Sequence, residues 1–236
     1  MLVVGVAYAE DTSTLSPMES YKGNYFIFGD LKDQVKVQVS YKYNLLQEYD
    51  TGLFLGYSQY MNWALYDKSS PFKDINYNPE VFLKSKYKLK DIVDYIQLAP
   101  YEHMSNGRDG KESRGVDRTY LEAQWSMGQR LDYGVNAKGY FYYGQGSGNK
   151  HYASYTKYYE AKLFISYGDV TQENSKDELY VKVAGWDKGY QEVGYISRKL
   201  PKINPRIYVQ FFHGYCSSLL NYDKKDTAIR AGLLFK

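Results

Sequence analysis

Alternation of apolar and polar side chains along this chain constrains its fold more than any other feature. In Val35-Lys36-Val37-Gln38-Val39-Ser40-Tyr41-Lys42-Tyr43 nearly every second residue is apolar or aromatic. Successive side chains of a β-strand point to opposite faces, so such a run presents one apolar and one polar face. Leu53, Leu55, Tyr57, Gln59, Met61 and Trp63 share one face of the next segment. Further strand segments run from Val81 to Tyr87, Ile92 to His103, Thr119 to Met127, Tyr133 to Tyr143 and Tyr155 to Tyr167. Leu179 to Trp186, Val193 to Leu200, Ile207 to Tyr215 and Thr227 to Phe235 follow. With Asn24 to Phe28 this makes about twelve strands, many of them about 9–13 residues long. Globular strands average about 5–6 residues, and tilted membrane strands need about 9–11. The connections, such as Tyr49-Asp50-Thr51-Gly52 and Asp187-Lys188-Gly189, carry turn residues, and no helical heptad interrupts the pattern.

Composition points the same way. The chain has 29 Tyr in 236 residues, yet its mean hydropathy is −0.59. A soluble core does not need that many tyrosines, whereas a membrane barrel places aromatics in girdles at both interfaces around a polar interior. No run approaches the ~20 apolar residues of a membrane helix. The expected fold is all-β, an antiparallel transmembrane β-barrel of about twelve strands, and an even strand number suits a single-chain bacterial outer-membrane barrel. The net charge of +3 comes without a Lys/Arg cluster, so no nucleic-acid partner is expected. The single Cys216 excludes an internal disulfide and a cysteine zinc site. Residues 1–9 read as the tail of a secretory signal ending in Ala7-Tyr8-Ala9, residues 10–23 as an N-terminal periplasmic segment, and residues 24–236 as the barrel.

One stretch carries chemistry. His103 and Ser105 are two apart on a strand, so they share a face, as a general base and its nucleophile must. A short connection brings Asp117 back on the next strand, where it can orient the imidazole, which is the logic of a Ser-His-acid triad. Asn106, adjacent to the serine, points to the opposite face. A bare His-x-Ser is a weak signal alone, and its surroundings give it weight. His151, in a Gly/Asn/Lys loop, reads as solvated, and His213, on an aromatic strand, as structural.

Two blocks carry a resemblance. Tyr101-x-His103-x-Ser105-Asn106-Gly107-Arg108 with Ser113-Arg114 and Asp117-Arg118 forms one, and Ser69-Ser70-Pro71-Phe72-Lys73-Asp74-Ile75-Asn76-Tyr77-Asn78-Pro79 the other. With the Gln59-x-x-x-Trp63-x-Leu65 segment, these make the chain resemble the outer membrane phospholipase A family, twelve-stranded barrels of Gram-negative bacteria. The resemblance runs from about Asn24 to the end and is strongest between about Tyr57 and Tyr120. It implies calcium-dependent hydrolysis of glycerophospholipid acyl esters (A1, A2 and lysophospholipase activity), with Ser105 as nucleophile and His103 as base and then acid. The third family member is usually asparagine, and Asp117 stands at that position; a carboxylate also accepts the imidazole N–H and fixes the tautomer. The resemblance further implies an oxyanion donor at Gly107 N–H and a calcium ion (Ca2+) held by oxygens of Arg108, through its carbonyl, and Ser113. Ser69 is implied to reach that ion from the second subunit of a homodimer, and Gln59 to lie at the dimer interface, a lumen-facing Gln59 being the alternative. Trp63 reads either as an interface or acyl-chain contact or as a girdle anchor. The active site is implied to face lipid, and dimerisation to switch activity on. The competing readings are a non-enzymatic porin or adhesin barrel and, more weakly, a soluble lipocalin-like barrel.

Overall fold

A computed structural model describes residues 18–30, 35–46, 51–85, 93–168, 175–200 and 205–235, so the expected signal lies outside the described residues. Its strands are β1 (Met18–Ser20), β2 (Asn24–Phe28), β3 (Val35–Asn44), β4 (Thr51–Trp63), β5 (Phe72–Ser85), β6 (Val93–Ser105) and β7 (Gly115–Gly128). They continue as β8 (Leu131–Gln145), β9 (Tyr159–Gly168), β10 (Lys176–Ala184), β11 (Tyr190–Ile196), β12 (Arg206–Gly214) and β13 (Asp226–Phe235), with one short helix, α1 (Tyr152–Thr156), before β9. From β2 onward each strand pairs antiparallel with the next, and β13 pairs back to β2, which closes the barrel.

β1 and β2 lie one after the other along the same edge of β3, so the thirteen strands make twelve wall positions. The break between them is built. Gly23 has φ +88°, a conformation glycine enters at little cost. The Gln38 amide donates to the carbonyls of Lys22 (3.2 Å) and Gly23 (2.7 Å), and the Asn24 side-chain oxygen accepts from the Ser40 N–H at 2.6 Å. This kink turns Tyr21 and Lys22 into the barrel, so the boundary expected at Asn24 falls inside the first wall strand.

The barrel is polar inside and apolar outside. Leu163, Ile165, Leu179, Val181 and Ile229 are exposed on the outer face, while Gln38, Ser58, Asn78, Glu80, Gln97, Glu102, Arg118 and Arg230 are buried within. Inside, Lys22 meets Glu80 at 2.5 Å, Arg118 meets Glu102 at 2.5 Å and Lys162 meets Glu178 at 2.6 Å around a cavity of about 790 Å³. That inversion suits lipid outside and water within. It overturns the lipocalin-like reading, which needs the opposite polarity, and it explains the low mean hydropathy.

Two segments differ from their sequence pattern. β5 begins at Phe72 rather than Val81, because its inward positions Asp74, Asn76, Asn78 and Glu80 are polar and mask the strand signal. Tyr155 belongs to α1 instead of a strand, since its ring packs on Tyr215 (5.0 Å) and Tyr222 (5.5 Å). Those partners sit in the 215–225 loop, which folds across one mouth of the barrel. Leu220 and Leu219 donate their N–H groups to Asp74 (3.0 Å) and Asn76 (3.3 Å) on β5, and Lys36 Nζ donates to the Ser217 carbonyl at 3.1 Å. Leu219, Tyr222, Tyr152 and Val116 form a buried cluster there.

Candidate active site

The face that His103 and Ser105 occupy is decided by a β-bulge in β6. Before the bulge the odd-numbered residues Tyr95 and Gln97 line the cavity and Ile96 and Leu98 are exposed outside. Pairing with β7 slips between Ala99 and Glu102, and Pro100 and Tyr101 are both exposed. After it the even-numbered Glu102 and Met104 line the cavity. The bulge reverses the phase of the strand, so His103 and Ser105 point outward. Without it both would sit in the lumen.

His103 stands opposite Asp117 on β7, and its Nδ1 lies 2.7 Å from Asp117 Oδ1. An ionised carboxylate only accepts, so Nδ1 carries the proton of the neutral ring and Nε2 keeps a lone pair for a proton arriving from Ser105. Asp117 is held in turn against Gly144 on β8, where an added Cβ would lie 2.5 Å from Asp117 Oδ2. Ser105 pairs with Tyr77 of β5 and Gly115 of β7, and its hydroxyl makes no hydrogen bond among the described residues. Such contacts often tighten only with substrate bound.

The loop after Ser105 is organised by Asn106, which is 4 % exposed. Its side-chain oxygen accepts from the N–H groups of Arg114 (2.9 Å) and Arg108 (3.3 Å), and its amide donates to the Glu112 carbonyl at 2.8 Å. Asn106 is therefore a loop clamp and not a partner of His103. Gly107 has φ +64°, and an added Cβ would meet the Tyr77 ring at 3.1 Å. Its N–H bonds to no described residue and stands two positions after Ser105.

Arg108 spends its guanidinium within the protein, on Glu112 (2.5 Å) and on the Lys73 carbonyl, which ties this loop to the start of β5. The Arg108 carbonyl and the Ser113 hydroxyl accept no hydrogen bond from the described residues. They lie on either side of a single 3-10 turn, Gly110–Glu112. Among the described residues there is no cluster of three His, Cys, Asp or Glu. Neutral oxygens of this kind fit a hard cation such as calcium and do not fit zinc. Ser69 is on another loop, exposed, with φ +69° beside Ser70 at +42°. Ser70 fixes that turn: its hydroxyl donates to the Leu65 carbonyl at 2.9 Å and its own carbonyl accepts from Trp63 Nε1 at 2.8 Å.

Gln59 faces outward, which overturns the lumen-facing alternative. It lies between Val39 and Tyr77, so Val39, Gln59, Tyr77 and Ser105 form one row around the outside. Among the described residues its side chain bonds to the Tyr57 hydroxyl at 2.9 Å and the Met61 sulfur at 3.4 Å. Trp63 stacks on Phe72 at 5.4 Å in the same region. His151 precedes α1 and is exposed, and His213 meets the Thr227 hydroxyl at 2.8 Å on the exterior; neither approaches the His103–Asp117 pair through any hydrogen bond.

What the residue types did not disclose is the support behind the site. Glu102 and Arg118, the inward neighbours of His103 and Asp117, form a buried ion pair at 2.5 Å, and Lys22 lies 3.6 Å from Glu102. Their one sequence signal is position: each adjoins a site residue on a strand whose inner face is polar.

The chain matches the Phospholipase A1 family over residues 2–235. It is 31 % identical to a phospholipase A1 of Proteus vulgaris over 212 residues, covering 86 % of this chain and 70 % of that protein. Against the phospholipase A1 of Escherichia coli strain K12 the identity is 29 % over the same shares. Outer membrane phospholipase A from Escherichia coli superposes with a TM-score of 0.76 at 26 % identity, over 93 % of this chain and 98 % of that one. A Salmonella typhi outer membrane phospholipase dimer with bound calcium does so with a TM-score of 0.76 at 26 % identity, over 97 % and 94 %. Sequence match, curated relatives and shared barrel make this chain a member of the phospholipase A1 family, an enzyme of the bacterial outer membrane.

Proposed function

We propose that this phospholipase cleaves glycerophospholipid acyl esters with Ser105 as nucleophile, His103 as base and acid, and Asp117 as orienter, in a calcium-dependent homodimer. The observation that carries the reading is the His103–Asp117 pair at 2.7 Å on the lipid-facing side of the barrel, with Ser105 two residues on. Ser105 Oγ attacks the acyl carbonyl while His103 Nε2 takes its proton, and Asp117 holds the imidazolium through Nδ1–H. The Gly107 N–H faces the resulting oxyanion. The tetrahedral species collapses, the ester C–O bond breaks, and His103 returns the proton to the departing lysophospholipid alcohol. Water then attacks the acyl-Ser105 ester, giving its proton to His103, and the fatty acid leaves as Ser105 is restored. Oxygens of Arg108 and Ser113, with Ser69 of a second copy, would hold a calcium ion, which when bound would supply positive charge to stabilise that oxyanion. The Salmonella typhi relative, a dimer with bound calcium, supports the cofactor and the assembly. An Escherichia coli relative described as an active-site asparagine-to-alanine mutant supports a third, amide- or acid-bearing member of the triad.

The experiment is fatty-acid release from phospholipid–detergent micelles, with excess calcium and with chelator. Calcium-dependent release that Ser105→Ala abolishes is the expected result. A folded barrel that releases no fatty acid in calcium, or Ser105→Ala that retains full activity, overturns the assignment.

A further inference from the structure

We infer that Asn78 is a positioning residue for His103, supplying by its side chain the hydrogen bond that Pro79 withholds from the His103 backbone. The register of β5 against β6 pairs Tyr77 with Ser105 and Glu80 with Glu102. Carried through the intervening residues, that register sets Pro79 opposite His103. Proline has no N–H, so it leaves the facing carbonyl of a central strand unpaired, which is why it is confined to edges and bulges. β5 is no edge: it pairs with β4 on its other side, where Tyr57 faces Pro79. The missing donor comes from the neighbouring residue. Asn78 is 1 % exposed, and its Nδ2 donates to the His103 carbonyl at 2.8 Å.

The position matters because His103 follows directly on the bulge. Pairing of β6 with β7 lapses between Ala99 and Glu102, so the strand that carries the base is only partly laddered on the side towards Asp117. On the side towards β5 the proline removes another bond. Asn78 closes that gap and is itself anchored, since its Oδ1 accepts from Lys22 Nζ at 3.4 Å. Lys22 reaches Glu80 at 2.5 Å and Glu102 at 3.6 Å, and Glu102 holds Arg118. A polar network inside the wall thus backs the His103–Asp117 pair outside it. Asn78 touches no reacting atom; it acts through the backbone of His103.

The kinetic part of this inference rests on the proposed triad, so the test has a second readout. Asn78→Ala and the near-isosteric Asn78→Asp both remove the donor. Pro79→Ala restores a backbone N–H opposite His103, and each Asn78 variant is combined with it. Folding is checked by heat-modifiable gel mobility. Micellar ester hydrolysis in calcium gives kcat and KM. Proton spectra of 15N-histidine-labelled protein in micelles follow the Nδ1–H signal of His103, one of three histidines. Both single variants are expected to fold, to lose about 10- to 100-fold in kcat with KM within about twofold, and to lose or broaden that signal. Adding Pro79→Ala is expected to recover both kcat and the signal. The inference is overturned if a folded Asn78 variant keeps wild-type kcat and signal, or if Pro79→Ala restores neither. If wild type itself hydrolyses nothing, the proposed function fails, and loss and recovery of the Nδ1–H signal still decide the role of Asn78.

Discussion

An alanine at position 144 would press its Cβ to within 2.5 Å of Asp117 Oδ2 and 2.9 Å of Asp117 Cβ. Real Cβ atoms do not approach so closely, so Asp117 would swing off the His103 Nδ1. Gly144→Ala is expected to lower kcat for fatty-acid release at least about tenfold with little change in KM, because misplacement by about 1 Å is that damaging. The same geometry separates two substitutions of Asp117 itself. Asparagine keeps an oxygen for the Nδ1–H and has nearly the same shape at this half-buried position, so Asp117→Asn is expected to stay within about tenfold of wild type. Alanine removes the acceptor, and Asp117→Ala is expected to lose about 10²–10⁴-fold. Steady-state hydrolysis by the two variants in parallel decides this. Away from the site, burial pushes the Cys216 thiol well above its ordinary range, and its Sγ–H donates to the Tyr222 carbonyl at 3.4 Å. Burial disfavours the thiolate, so the thiol stays protonated and unreactive at pH 8. Maleimide is expected to label Cys216 only after unfolding. The sign of the linkage follows: a raised folded pKa adds stability below the unfolded value of about 8.5, and that stability is lost as pH climbs above it.

The strands show which parts of this fold the sequence could announce. Period-two alternation locates β3, β4 and β8 because one of their faces is apolar, and it sets His103 and Ser105 on a common face. Alternation is a relative signal, and it does not say which face is which. The absolute choice is made at Pro100 and Tyr101, where one extra residue reverses β6, and a bulge leaves no periodic mark. β5 is partly hidden for a related reason: Asp74, Asn76, Asn78 and Glu80 break the apolar pattern, and only the polar interior they face explains them. The ion pairs behind the site lay beyond reach, since Lys22 and Glu80 are separated by 58 residues and meet only when the barrel closes. Those pairs also set an energy. Arg118→Met would leave Glu102, 1 % exposed, without its hydrogen-bonded partner, with Lys22 at 3.6 Å as an ion-pair cation. Removing one partner of a buried pair costs about 3–5 kcal/mol, and the polar cavity that Glu102 lines places the loss toward the lower end. Urea unfolding in detergent is expected to show that loss for Arg118→Met, and a smaller one when Glu102→Gln is added.

At the scale of the whole molecule, a polar, ion-paired interior under the 215–225 loop leaves the outer surface as the place where chemistry meets substrate. That surface is uneven. Most of it is aliphatic or aromatic, as lipid contact requires, but the row through Gln59, Tyr77 and Ser105 is polar. Among the described residues a tyrosine hydroxyl and a thioether hold the Gln59 amide, which is costly in lipid, and a second copy of the same row would satisfy it. Self-complementary packing about a two-fold axis would also bring an exposed Ser69 from each copy toward the loop that carries Arg108 and Ser113 in the other. This arrangement makes a prediction that a self-sufficient barrel does not. A Ser105→Ala protomer has no nucleophile but keeps Ser69, whereas a Ser69→Ala protomer keeps its nucleophile but deprives its partner of a ligand. Each variant alone is expected to be nearly inactive at limiting calcium. In an equimolar mixture half the dimers are mixed, and in each of these the Ser69→Ala protomer has an intact Ser105 and receives Ser69 from its partner. One site in two is then complete in half the dimers, so the mixture is expected to regain roughly a quarter of wild-type activity at the same calcium concentration. If the calcium ligands all came from one chain, mixing would restore nothing above the sum of the two variants, because no protomer in the mixture would hold both serines.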